Sequence, residues 1–194
     1  MQQIRFDFLV PDDAYADINI DNKGVGQFLV DALDEWVKDE TPEVRVRLFH
    51  THFTKMLGDQ KSGILGHNPS VTGVVAFTVG SNGLVRVDDT LRSTSDIIFE
   101  PIGHISNLKL EDILTSPAMQ EYAMIGSCSP EPCSGCVWEN VCSGGRIVNR
   151  YSVQNRFDNK TVYCSATRHF LSRIASHLLS MGVAEEKINA AIQI

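Results

Sequence analysis

The chain has 194 residues, 43% of them hydrophobic, enough to bury a core in one domain or two small ones without help from disulfides. A formal net charge of −7 argues against nucleic acid as a partner, because a phosphate backbone is bound by clustered Lys and Arg. No apolar run is long enough to span a bilayer, and Met1-Gln2-Gln3-Ile4-Arg5 does not open a signal peptide, so the chain reads as cytoplasmic with no membrane partner.

Ile4 to Val10 alternates apolar and polar residues and stops at Pro11, the pattern of a strand entering a loop. From Gly26 to Lys38, Phe28, Leu29, Leu33, Trp36 and Val37 recur at helical spacing. Val44 to Arg47 reads as a short extended piece before a second helix that carries Leu48, Phe49, Phe53, Met56 and Leu57 and ends at Gly58. Residues 59 to 73 are rich in Gly, Ser, Asn and Pro and form a loop that can divide two units. Val74–Val79 and Leu84–Val87 flank Gly80-Ser81-Asn82-Gly83, which predicts a β-hairpin. Ser116-Pro117 starts a short helix over 117–124, and Phe170, Leu171, Ile174, Leu178 and Leu179 mark a last long helix ending near Gly182. A helical tail follows from Ala184 to Ile192.

All five cysteines fall between Cys128 and Cys164, and such a cluster points to metal more than to a disulfide scaffold. Thiolates gathered on loops repel one another unless a cation neutralises them. Cys133 and Cys136 form a C-x2-C pair whose sulfurs can turn toward one ion, with Gly135 relieving the turn. Cys142 follows, giving C-x2-C-x5-C-x-G-G, and Cys164 completes four thiolates. Gly144 and Gly145 allow backbone to approach closely, as the wall of an anionic cofactor requires. Tetrahedral zinc and a [4Fe–4S] cluster both accept this set and both remain open on spacing alone, although the second half lacks the C-x2-C knuckle of a zinc ribbon.

The run from Cys133 to Ile174, CSGCVWENVCSGGRIVNRYSVQNRFDNKTVYCSATRHFLSRI, resembles the C-terminal half of the SPASM domain, in particular the version in cyclophane-forming radical SAM/SPASM peptide maturases. Arg150-Tyr151, Phe157-Asp158-Asn159 and Tyr163-Cys164 carry the resemblance together with the cysteines. Upstream and more weakly, Ile4–Pro11 resembles the last strand of the barrel in such enzymes and the Trp36 helix the one that follows it. Gly83–Asp88 and Ile102–Ser106 resemble the SPASM hairpin and its Gly-Asn-Ile-like turn.

SPASM domains in general carry two auxiliary clusters, but here Arg146 stands where a sixth cysteine would be, and the hairpin has Val87, Asp88 and Asp89 in place of cysteine. The resemblance therefore implies one auxiliary [4Fe–4S] cluster, on Cys133, Cys136, Cys142 and Cys164. The C-x3-C-x2-C of the SAM-cleaving cluster is absent from these 194 residues. SAM and a second cluster are thus expected only in a radical SAM barrel supplied by a longer chain, of which this would be a fragment, or by a partner chain.

Several other residues invite functional readings that simpler ones outweigh. Cys128 reads as a free loop thiol, and His50 and His52 as surface or partly buried residues on different helix faces. His169 and His177 have no acidic or thiolate companion in the sequence and read as structural. Asp88-Asp89 and Glu111-Asp112 point apart as neighbours and suit loops and helix starts. Arg146 and Arg150 could balance the cluster's charge or meet a peptide carboxylate.

The expected fold is α+β: over residues 1–58 a barrel remnant of one strand with linking helices, and over 74–194 a SPASM-like domain with a hairpin, cluster-binding loops and a closing helix. The function the resemblance implies is that of an auxiliary cluster domain in a radical SAM enzyme that cross-links or oxidises a ribosomally synthesised precursor peptide, with no catalytic side chain in this chain. A sulfatase-type maturase is a nearer rival, weakened by the missing first-cluster cysteines. The alternative from another class is a non-catalytic zinc- or cluster-bearing peptide-binding module.

Overall fold

A computed structural model describes residues 2–4, 20–39, 44–58 and 76–192. Strand β1, Gln2–Ile4, pairs parallel with β2, Val44–Val46, setting Gln2 opposite Val44 and Ile4 opposite Val46. The remainder of the expected opening strand, residues 5–10, and the loop at 59–73 lie outside the described residues. Helix α1 runs Asn22–Lys38, starting earlier than the apolar stripe because Asp21 caps it, its carboxylate accepting the Gly24 N–H at 2.8 Å. Leu29, Val30 and Leu33 face inward, whereas Phe28, read as part of that stripe, is 48% exposed.

Helix α2, Arg47–Met56, follows β2 directly and buries Phe49, His52, Lys55 and Met56 on one face. Strands β3, Thr78–Val79, β4, Leu84–Arg86, and β5, Gly103–His104, form an antiparallel sheet in that order. Between β3 and β4 only Gly83 takes a positive φ, +77°, and a Cβ there would strike the His104 ring. Asn82 instead accepts the Leu84 N–H on its side-chain oxygen. Helices α3, Leu110–Leu114, α4, Pro117–Ser127, α5, Glu139–Cys142, α6, Cys164–Ser180, and α7, Glu185–Ala191, complete the order, with short 3₁₀ turns between. Ser116 caps α4, and the Asp112 carboxylate of α3 reaches back to accept the Lys109 N–H at 2.8 Å. The architecture is mixed, dominated by helices, with a small antiparallel sheet.

Two buried cores result. In the first, α1 and α2 pack on α6 and α7 packs on α2: Leu33, Phe49, Met56, Leu171 and Ile174 are almost fully buried, with the Phe49 and Phe170 rings 5.7 Å apart. The second gathers Val85, Val87, Leu91, Ile98, Ile113, Met119, Ile147, Tyr151 and Phe157. Trp138 and Val141 belong to the first and Ile147 and Val148 to the second, so the cysteine segment crosses the seam between them.

The α1–α6 contact is clamped at its edge, where Arg173 donates to both Asp34 carboxylate oxygens at 2.7 and 2.8 Å and His177 lies 2.7 Å from one of them. His177 thus has an acidic companion, brought from α1, that the sequence did not place beside it. The Arg173 hydrogen bonds, only partly offset by burial and helped by His177, lower the Asp34 pKa to about 2. A carboxyl depressed from its usual 3.8 contributes its stability above that value and loses it as the pH falls toward 2. Asp34→Ala should cost about 1 kcal/mol at pH 7, with the difference shrinking through that acid window; urea unfolding at pH 7 and pH 3 measures it.

Candidate metal centre

The first thiol sits at the end of a tight turn. Glu131–Cys133 is a single 3₁₀ turn behind the buried Pro130, and its first N–H is held by the Asp158 carboxylate at 2.8 Å. Cys136 donates its N–H to the Cys133 carbonyl at 3.0 Å, closing the C-x2-C turn, with Gly135 at φ +72°. Cys142 ends α5, after which Ser143, Gly144 and Gly145 take φ of 52°, 75° and 79° and reverse the chain. Both glycines have close neighbours where a side chain would stand. A Cβ on Gly144 would lie 2.4 Å from Pro130 Cδ, and one on Gly145 would lie 2.7 Å from Thr161 Cβ. Glycine is required because the Pro130 and Thr161 side chains, on the arms leading to Cys133 and Cys164, pack directly on the turn after Cys142.

The fourth arm is tied on by backbone. Thr161 donates its N–H to the Gly144 carbonyl at 3.1 Å, Val162 to Asn149 at 2.9 Å, and Cys164 to Thr161 at 3.0 Å. Cys164 then opens α6. Asn159 staples the intervening loop, its amide donating to the Arg150 and Arg156 carbonyls at 2.8 and 3.0 Å, while Phe157 packs on Tyr151 at 5.2 Å. The Phe157-Asp158-Asn159 motif is thereby accounted for by structure: ring to core, carboxylate to the Cys133 turn, amide to the loop.

The four thiols act on one another. Burial pushes the Cys133 thiol up, and Cys164 and Cys136 add to it. Cys142 is pushed up to about 12 by burial first and then by Cys133 and Cys164. None of the five cysteines is in a disulfide. Among the described residues, no group of three or more His, Cys, Asp or Glu stands as the ligand set of a metal ion. Four cysteine thiols are the donor set that tetrahedral zinc takes at one ion and a cubane takes at one iron corner each.

Two buried cations accompany them. Lys55 is 6% exposed and donates to the Val141 carbonyl at 3.1 Å, next to Cys142. Arg150 is 4% exposed and donates to the Phe157 and Ile125 carbonyls at 3.0 and 3.3 Å. Its Nη1 is 3.5 Å from where a Gly144 Cβ would stand, and the charges of Cys133, Cys128 and Cys142 all act on it. Lys55 was missed in the sequence; its signal was the spacing from Thr51 and His52, which puts it on the buried stripe of α2.

No family model matches the chain. Over 142 residues, 72% of its length, it is 24% identical to a serine-type anaerobic sulfatase-maturating enzyme of Bacteroides thetaiotaomicron, of which the match covers 32%. Among solved structures, it superposes on histidine-tagged anSMEcpe with bound AdoMet at a TM-score of 0.73 and 20% identity, over 97% of this chain and 50% of that one. The chain has the fold of half of anSMEcpe. Native anSMEcpe solved with AdoMet and the Cp18Cys peptide gives a TM-score of 0.69 at 20% identity, over 88% of this chain and 47% of that one. The chain thus spans about a third of the curated relative and about half of these solved chains.

The remaining candidates separate from the centre. His52 is core, not surface: its Nδ1 meets the Leu48 carbonyl at 2.8 Å, its ring packs edge-on against Phe170, and burial lowers its pKa to about 4. His50 stands beside Arg45, half-buried. Cys128 is exposed at the end of α4. Asp88 caps the 3₁₀ turn Asp89–Ser93 through the Thr90 N–H and accepts the Tyr122 hydroxyl at 2.8 Å. A cavity of about 340 Å³ lies between this turn and α2, with Cys142, Lys55, Asp88, Arg146 and Asn149 in its wall.

Proposed function

We propose that the chain is the auxiliary-cluster part of a radical SAM enzyme that modifies a peptide, holding one [4Fe–4S] cluster on Cys133, Cys136, Cys142 and Cys164. The observation that carries this is the convergence of four free thiols, from positions spread over residues 133–164, in a fold shared with AdoMet-bound anSMEcpe. Residues 1–58 would be the end of the barrel and 74–194 the SPASM-like domain, the remainder of the barrel, with SAM and its own cluster, coming from the rest of a longer chain or from a partner.

A cluster bound here supplies a one-electron centre. The side chains of this chain do the holding. Asp158 fixes the turn that presents Cys133, Gly144 and Gly145 let three arms meet, and Trp138, Val141 and Phe170 keep water from the Cys142 side. The substrate class follows from two supports: resemblance to cyclophane-forming maturases, and likeness to a sulfatase-maturating enzyme and to anSMEcpe solved with peptides. Both are consistent with oxidation or cross-linking of a side chain in a ribosomally made precursor.

Anaerobic reconstitution with iron and sulfide should load about four irons per chain and give a reducible electron paramagnetic resonance signal. Cys142→Ala should lose it. One tightly bound zinc with no sulfide would overturn the cluster and support the zinc-bearing peptide-binding module instead.

A further inference from the structure

Burying an ammonium or guanidinium is costly unless an anion compensates it. Among the described residues, neither Lys55 nor Arg150 makes an ion pair with a carboxylate; their acceptors are the carbonyls of Val141, and of Phe157 and Ile125. Asp158 acts on Arg150 through its charge and not through a hydrogen bond, and one of its oxygens accepts the Glu131 N–H. What both cations share is the cysteine segment: Lys55 holds the Val141 carbonyl next to Cys142, and Arg150 Nη1 lies 3.5 Å from the Gly144 Cβ position, two residues after Cys142. Four thiolates around a doubly charged cation, cluster or zinc, leave two net negative charges. Two buried cations balance them.

We propose that Lys55 and Arg150 are built-in counter-charges of the four-thiolate site on Cys133, Cys136, Cys142 and Cys164, buried beside the cysteine segment with carbonyls and no carboxylate as hydrogen-bond acceptors, so that they offset the net negative charge of the loaded site. The inference rests on the assignment of those cysteines as ligands. Its consequence is coupling across the seam: Lys55 belongs to α2, in the core that α1, α6 and α7 share, and so links loading of the centre to the packing of that helical unit. Reduction adds negative charge to the site, so the same cations favour the reduced form.

The test uses the whole chain, empty and loaded, as wild type, Lys55→Met and Arg150→Lys. Lys55→Met removes the charge while keeping length and an apolar stem; Arg150→Lys keeps the charge and alters its hydrogen bonds. The empty Lys55→Met protein should be at least as stable to heat as empty wild type, and should gain less on loading. In a redox titration of the iron-loaded protein, the reduced-to-oxidised ratio at fixed potential should fall about tenfold in Lys55→Met, which is about 59 mV for a one-electron couple. Arg150→Lys should keep both the loading gain and the potential close to wild type. Equal loading gains in wild type and Lys55→Met would overturn the proposal. Metal and sulfide analysis of the wild type tests the cluster separately, because the difference in loading gain is expected with zinc as well as with iron.

Discussion

Gly145→Ala should cost about 3 kcal/mol of folding stability and take the metal centre with it. Gly145 has φ +79°, where an L side chain adds about 1–2 kcal/mol of steric cost. Its Cβ would lie 2.7 Å from Thr161 Cβ and 2.8 Å from Thr161 Cγ2, and relieving such overpacking costs about 1–3 kcal/mol more. Thr161 cannot simply give way: it is buried, donates its N–H to the Gly144 carbonyl, and accepts the Cys164 N–H. Pushing it outward moves Cys164 away from Cys142, so loading should fall with stability. Gly135→Ala is the internal control, since φ there is +72° but nothing lies within 4 Å of the new Cβ; only the conformational cost applies. Urea unfolding of the three proteins, with metal content after reconstitution, separates the two effects. Equal losses in both variants would mean that the Thr161 contact does not decide the residue.

The sequence was most readable where one local signal sufficed. Ser116-Pro117 fixed the start of α4, and the apolar stripes of α1, α2 and α6 recur in the buried residues of the first core. The cysteine spacing singled out Cys133, Cys136, Cys142 and Cys164, and the other three push the Cys142 thiol up after burial does. What could not be read depended on partners distant in the chain. The packing of Gly144 on Pro130 and of Gly145 on Thr161 joins residues that only folding brings together. His177 looked unaccompanied because Asp34 arrives from another helix. Lys55 drew no reading because a cation on the buried stripe of a helix looks, in sequence, like any surface lysine. The short 3₁₀ turns at Asp89–Ser93 and Ile97–Phe99 have no periodicity to read, being set by the Asp88 and Asp96 caps.

The two cores and the centre also stand in a physical order. The helical core is held by large apolar contacts that need no metal, among them Phe49 on Phe170 and Trp36 on Phe49. The second core depends more on polar ties, of which Arg156 is the hub. Its guanidinium donates to both Asp96 oxygens at 2.6 Å and to Glu121 at 2.6 Å, joining the turn at Ile97–Phe99, helix α4 and the loop before Cys164.

Arg156→Ala should therefore cost about 2 kcal/mol at pH 7. The Asp96 side chain is 4% exposed, and removing its partner leaves a carboxylate buried with only the Ile98 N–H to meet it. The Arg156 side chain is itself 44% exposed, so solvent screening takes part of the Coulomb energy and holds the loss below that of a fully buried pair. Arg156 also sits at φ +50°, so Arg156→Gly relieves backbone strain that Arg156→Ala retains and should be the less damaged of the two. The acid limb gives the sign. Burial alone would raise the Asp96 pKa, but the Arg156 hydrogen bonds and the Ile98 N–H outweigh it and hold the group below its ordinary 3.8. Its contribution is complete above that value and is lost as the pH falls through the lower folded value. In Arg156→Ala burial acts without its counterweight and Asp96 shifts upward, so the variant takes up its proton first. The stability gap between wild type and Arg156→Ala should narrow as the pH drops below about 4. Denaturant unfolding at pH 7 and pH 3 measures it, and a gap that stays constant would assign the loss to packing of the Arg156 stem on Phe157, not to charge.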